Sequence, residues 1–153
     1  MFTRTQTARE GRDRQMYEQG ARVIAGCVPV DKQGRRILLV ASSKNEGEWV
    51  LPKGGWENDE TQEEAATRET WEEAGVQGRI VSHLGEYKHK VNKRTGVPED
   101  IYIFFEMEVE SIAREWPEMK KRERQWFSFE DAKAIVSKKV MRKALEQCSL
   151  ARG

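Results

Sequence analysis

The 153-residue chain carries 27 Lys+Arg against 26 Asp+Glu, a net charge of +1, with 35% charged and 37% apolar residues. That length suits one domain with a sizeable core, and five Trp, five Phe and three Tyr supply the aromatic material a disordered chain lacks. Near-neutrality argues against a strongly basic nucleic-acid binder or an acidic tail, and two cysteines, Cys27 and Cys148, are too few for a disulfide framework or a zinc site.

Residues 1–20 are polar and non-periodic, which predicts a flexible N-terminal arm that docks near Met16 and Tyr17. They lack the apolar core of a signal peptide, no later run reaches the length of a membrane span, and the C-terminus carries no lipidation signal. The expectation is a soluble protein of a reducing compartment, cytoplasmic or nuclear. The β-branched run 22–30 reads as a buried strand. Asp31-Lys32-Gln33-Gly34 is a turn, 37–40 a second strand, and Trp49-Val50-Leu51 a short run stopped by Pro52. A helix is predicted from Thr61 to Ala74, started by Asp59 or Thr61 and stopped by Gly75. Strands follow at 79–90 and 100–109 with a loop over 91–99 between them. A short strand at 124–129, helices at 129–136 and 138–148, and a tail at 149–153 complete the chain. Strands with interspersed helices predict an α/β (α+β) layer structure, with one domain over 21–148.

Between Glu57 and Glu73 stand eight acids and a single base, Arg68. On a helix Glu69, Glu72 and Glu73 share one face, within an arc of roughly 100°. Carboxylates so placed repel one another unless something neutralises them, and hard divalent cations take such oxygen ligands and work in phosphate chemistry. The Gly54-Gly55 pair ahead of the helix would let backbone and phosphate approach closely. A solvated acidic face is the plainer explanation for a Glu-rich helix, but the spacing here is specific. Gly54, Glu60, Arg68-Glu69, Glu72-Glu73, Gly75 and Val76 fall in the register of the 23-residue box of the Nudix hydrolases, with Thr70 where that pattern favours an aliphatic residue.

The resemblance implies an α/β/α sandwich with a mixed β-sheet between helices, and Mg²⁺-dependent hydrolysis of a diphosphate bond, with Mn²⁺ as a possible substitute. It implies metal ligation by Glu69, Glu72 and Glu73 and by the carbonyl of Lys53, with Glu72 placed here as general base. Arg68 reads as a structural residue that pairs with a loop carboxylate such as Glu60.

The bases outside the box are clustered at 88–94, 120–124 and 138–143. Any one run is an ordinary solvated face, but several converging on an acidic helix suit a compact polyanion. The stretches Leu39–Ser43, Trp49–Glu57, Trp116–Met119, Arg124–Phe127 and Glu130–Ala132 resemble diphosphoinositol polyphosphate phosphohydrolases of the fungal type, over about residues 20–147. Animal members have three glycines where this chain has Lys53-Gly54-Gly55, and a shorter loop at 91–99. That resemblance implies removal of the β-phosphate from inositol pyrophosphates, with activity on diadenosine polyphosphates and inorganic polyphosphate. It maps phosphate contacts onto Arg22, Ser42, Lys44, Lys53, Gly54, Gly55, Arg122 and Lys139, with Lys138 the alternative to the last. A monomer with a polyanionic small-molecule substrate, no membrane and no dedicated nucleic-acid partner is expected. Two other readings stand beside it: a nucleotide-specific enzyme (dinucleoside polyphosphate hydrolase or decapping type), whose base would stack on Trp56, Tyr87 or Trp116, and a non-catalytic phosphate-binding module.

Overall fold

The computed structural model describes residue 11 and residues 13–152. Its strands are β1 (Tyr17–Glu18), β2 (Ala21–Asp31), β3 (Arg36–Ala41), β4 (Trp49–Val50), β5 (Lys53–Gly55), β6 (Val76–Val91), β7 (Pro98–Ile112) and β8 (Arg124–Ser128). The helices are α1 (Gln62–Ala74), α2 (Phe129–Ile135) and α3 (Lys139–Gln147), followed by a 3-10 turn over Ser149–Arg152. No helix among the described residues is long and apolar enough to cross a membrane.

The main path of the sheet runs β4-β3-β2-β7-β6, with β1 and β5 also paired to β2 and β8 to β3. The sheet is mixed: β2 and β7 run parallel from Arg22↔Asp100 to Val30↔Glu108, whereas the other ladders are antiparallel. Burial on both faces explains why β2 reads as a continuous apolar run rather than an alternation. One face meets α1, where the Cys27 thiol lies 3.5 Å from the Ala66 carbonyl. Glu106, on the opposite face, reaches the C-terminal turn through the backbone and hydroxyl of Ser149. This is the α/β/α sandwich expected from the sequence, with Phe104, Ile103, Met107, Leu39 and Val28 deep in its core.

Two expectations about the ends change. Residues 1–10 and 12, in the predicted flexible arm, lie outside the described residues, but 13–20 belong to the fold. Arg14 pairs with Asp59 at 2.7 Å, Gln15 bridges to Glu57, and β1 pairs with the start of β2. The stretch carries few apolar residues because it is held by backbone and side-chain hydrogen bonds, which leave no hydrophobic period. At the other end the predicted tail is docked, with Leu150 buried and Arg35 Nη2 donating to its carbonyl.

Along one edge β2 has two partners: Ile24–Gly26 pair with β5 and Val30–Asp31 with β3. Between them the Cys27 N–H donates to the Pro52 carbonyl. This split brings Lys53-Gly54-Gly55 against α1, at the end of β2 that carries Arg22 and Ile24.

Candidate active site

Helix α1 begins with a capping box. The Thr61 hydroxyl accepts from Glu64 N–H at 3.1 Å, and the Glu64 carboxylate accepts from Thr61 N–H at 2.8 Å. The helix ends at Gly75, at φ 66°, ψ 30°, a left-handed conformation that costs glycine little. Between these ends the acidic face is turned inward. Arg68 is 4% exposed, Glu69 9%, Glu72 2% and Glu73 6%.

Arg68 is the hub of this buried cluster. Its Nε and Nη2 grip both oxygens of Glu60 at 2.9 and 2.6 Å, as the sequence reading expects. Nη1 meets Glu69 Oε2 at 2.8 Å and Glu72 Oε2 at 3.4 Å, and Nη2 also donates to the Gly55 carbonyl at 3.1 Å. Although burial opposes its charge, these carboxylates raise its pKa further, so it stays protonated. Glu69 is pushed up to about 8, first by burial, then by the charge of Glu73, against the pull of Arg68. Glu73 is also raised by burial, an effect that the cations Lys53 and Arg122 counter.

The Lys53 N–H donates to Glu73 Oε1 at 3.1 Å, tying the glycine loop to the end of the helix. A Cβ on Gly54 would fall on the carboxylate of Glu69, so only glycine leaves room there. These are oxygen donors alone, at a buried and mutually repelling site with a backbone cradle beside it, which fits a hard divalent cation by type. As the side chains lie, no three His, Cys, Asp or Glu among the described residues are gathered closely enough to hold an ion. Glu69 and Glu72 turn instead to the Arg68 guanidinium.

Glu73 faces the other way, into a cavity of about 300 Å³ beside the split in the sheet. Arg22, Lys44, Lys53, Lys90, Arg122 and Lys138 bring six cations to its walls, with Ser42, Ser43, Asn45 and Gly54 between them. Glu48, Glu73, Glu99 and Asp100 are the carboxylates, and His89 Nδ1 stands 3.5 Å from Asp100 Oδ2. Arg122 reaches Glu118 at 3.0 Å, Ser43 Oγ at 3.1 Å and Glu73 Oε1 at 3.6 Å. Its Nε is buried without a hydrogen-bond partner, an orphaned donor next to Glu73. Lys138 has its pKa lowered by burial and then by Lys53, Lys90 and Lys44, as cations converging on one space require.

Of the predicted contacts, Arg22, Ser42, Lys44, Lys53, Gly54 and Arg122 line this cavity. Lys139 does not: Lys138, in extended conformation at the N-cap of α3, lines it, while Lys139 is exposed on the first turn of the helix. Gly55 does not line it either; a Cβ there would meet the side chain of Gln15. Among the metal-ligand candidates only Glu73 and Lys53 border the cavity; Glu69 and Glu72 lie behind them at Arg68.

Sequence reasoning missed Gln15. Its Oε1 accepts from Arg22 Nε at 2.9 Å and its Nε2 donates to the carbonyls of Trp56 and Val23 at 2.9 and 3.1 Å. It therefore aims a cavity arginine and braces the glycine loop. No local signal marks it, since the residues it ties together, Arg22, Val23 and Trp56, lie 7 to 41 residues away.

The NUDIX domain profile matches residues 20–148. Nudix hydrolase 4 of Arabidopsis thaliana is 41% identical over 150 residues, covering 91% of this chain and 71% of that protein. A mouse diphosphoinositol polyphosphate phosphohydrolase, form 3-alpha, is 33% identical over 118 residues, covering 74% of this chain and 69% of its own length. Among solved structures, a NUDIX hydrolase from Nitrosomonas europaea superposes with a TM-score of 0.67 at 25% identity, covering 85% of this chain and 70% of that one. Fold, box and these matches together make the chain a member of the NUDIX domain family, hydrolases of phosphoanhydride substrates that generally use divalent metals.

Proposed function

We propose that this chain removes the β-phosphate of diphosphoinositol polyphosphates, with activity on diadenosine polyphosphates and inorganic polyphosphate. The observation that carries the reading is the cavity: six cations and an orphaned Arg122 donor surround a space with one box glutamate on its wall. A compact ring of phosphates suits such a field better than a nucleoside does. The residues a nucleobase would need are engaged elsewhere. Trp56 packs on the core and donates to the Glu60 carbonyl, Trp116 lies beneath Arg124, and the Tyr87 hydroxyl donates to Leu84. Tyr102 lines the cavity but is only 3% exposed. The likeness to the fungal-type enzymes, carried by stretches between Leu39 and Ala132, includes Lys53-Gly54-Gly55, which sets an ammonium where animal members carry a glycine.

In this reading Glu69, Glu72, Glu73 and the Lys53 carbonyl hold Mg²⁺, or Mn²⁺ in its place. Bound there, such a cation would supply charge neutralisation for phosphoryl oxygens and make water a better nucleophile near neutral pH. Arg22, Lys44, Lys53, Arg122 and Lys138 hold the phosphates, with Ser42 and the Gly54 backbone beside them. Glu72, as general base, takes the proton of the attacking water. The new bond forms between that oxygen and the terminal phosphorus, and the P–O bond to the bridging oxygen breaks.

The test is a panel with Mg²⁺: a diphosphoinositol polyphosphate, diadenosine hexaphosphate, polyphosphate and a capped RNA. Turnover of the first three is expected; turnover of the capped RNA alone would overturn the reading. Glu73→Gln should fold normally and lose activity by about a hundredfold or more, and full activity would remove Glu73 from the ligand set.

A further inference from the structure

An α-helix leaves its last four carbonyls without partners inside the helix. In α1 those carbonyls belong to the turn that carries Glu72 and Glu73, and no basic residue of the helix stands there to balance the negative end of its dipole. Every one of them is nevertheless taken, and one segment, residues 113–124, takes them. The Glu118 N–H donates to the Glu72 carbonyl at 3.0 Å, and Trp116 Nε1 donates to the Glu73 carbonyl at 3.0 Å. Arg124 Nη1 donates to the carbonyls of Ala74 at 2.9 Å and Gly75 at 3.3 Å, and Ala113 N–H adds a second donor to Gly75 at 2.8 Å. The Arg124 guanidinium lies 3.8 Å from the centre of the Trp116 ring, so the two donors are stacked into one unit. A Cβ on Gly75 would strike both, at 2.6 Å from the indole and 2.8 Å from the guanidinium.

The same segment also reaches the carboxylate. Glu118 pairs with Arg122 at 3.0 Å, and Arg122 stands 3.6 Å from Glu73 Oε1 in the cavity wall. Backbone and side chain of Glu73 are therefore both held by residues 116–124.

We propose that Trp116 and Arg124 are positioning residues for the reaction: they clamp the C-terminal turn of α1 so that Glu72 and Glu73 are presented in one fixed arrangement to a divalent cation. This rests on the reading of Glu72 and Glu73 as metal ligands. Neither residue touches substrate; both act through the helix end.

The experiment measures Mn²⁺ binding to the substrate-free protein by electron paramagnetic resonance, beside kcat and KM, in Trp116→Phe and Arg124→Lys. Trp116→Phe removes the indole donor and keeps the ring; Arg124→Lys keeps the charge but loses the fork that spans two carbonyls. Both should weaken Mn²⁺ binding by about tenfold, the low end for loss of a partner behind a metal ligand. KM for a polyphosphate substrate should stay within about twofold, and excess metal should restore most of kcat. Val30→Ala, in the core at the far end of β2, is the control for lost stability alone and should leave Mn²⁺ affinity unchanged. The clamp is overturned if both variants bind Mn²⁺ as the wild type does, or if Val30→Ala weakens binding equally. Glu73→Gln separates the underlying reading: unchanged Mn²⁺ affinity there removes the ligand assignment, whereas a loss there without one in the clamp variants removes the clamp alone.

Discussion

A single methyl group tests the closest contact in the site. Gly54 passes directly under the Glu69 carboxylate, and the position of a Cβ there coincides with the carboxyl group itself. Gly54→Ala must push Glu69 away from Arg68 Nη1, which it meets at 2.8 Å, or shift the loop and with it the bond from Lys53 N–H to Glu73. Either response disturbs a box carboxylate. We predict a folded protein with kcat/KM lowered about a hundredfold, a loss of about 2.7 kcal/mol in transition-state stabilisation; an alanine variant within twofold of wild type would show that the loop gives way freely. The glycine pair and its closeness to the helix were legible in the sequence, because the box spacing fixes them. Gln15, which plays the same part against Gly55, was not, because a lone polar residue in a polar segment carries no periodic mark.

The elements differ in how far their ends could be read. Helix α1 is as expected from Thr61 onward, since a capping box and a C-terminal glycine are local signals. Strands β6 and β7 run longer than the 79–90 and 100–109 expected. Their pairing shifts register at Gln77/Gly78, Ile80/Ser82 and His83/Gly85, and each irregularity breaks the two-residue alternation by which a strand is recognised. The short strands β1 and β5 exist only through pairing with β2, a long-range condition absent from their own residues. The stability of α1 has two separable parts. Thr61→Ala removes the cap on an exposed turn and should cost about 1 kcal/mol in urea unfolding, with kcat unchanged, since the cap lies at the other end of the helix from Glu72 and Glu73. Arg68→Met should cost more, about 3–5 kcal/mol, because it leaves the buried carboxylates of Glu60, Glu69 and Glu72 without the cation they share. If Arg68→Met proved no more costly than Thr61→Ala, the buried network would not be holding the helix to the loop.

For the whole molecule, the net charge of +1 conceals two opposing fields. Eight acids against one base lie between Glu57 and Glu73, and nine bases against four acids between Glu118 and Lys143. The fold does not keep them apart as the chain does. It turns Glu57, Glu60, Glu69 and Glu72 inward around Arg68 and brings cations from β2, the 42–45 turn, β5, β6, the loop before β8 and the N-cap of α3 to one cavity, where Glu73 is the point of contact between the two. A field assembled largely from partly exposed cations is open to screening, which cuts the range of a charge to about 10 Å at 0.1 M salt and about 3 Å at 1 M. In the proposed function its effect would fall on the encounter with a polyanion and not on the bond-breaking step, which would take place among buried groups. Raising monovalent salt from about 0.02 to 0.5 M at fixed free Mg²⁺ should therefore lower kcat/KM for a polyphosphorylated substrate by about tenfold or more, while kcat changes by less than about twofold. Lys44→Gln combined with Lys90→Gln should flatten that dependence, because both side chains line the cavity without belonging to the box. A salt effect carried mainly by kcat, or one unchanged in the double variant, would mean that these cations do not gather the substrate and that the neutral total describes the molecule after all.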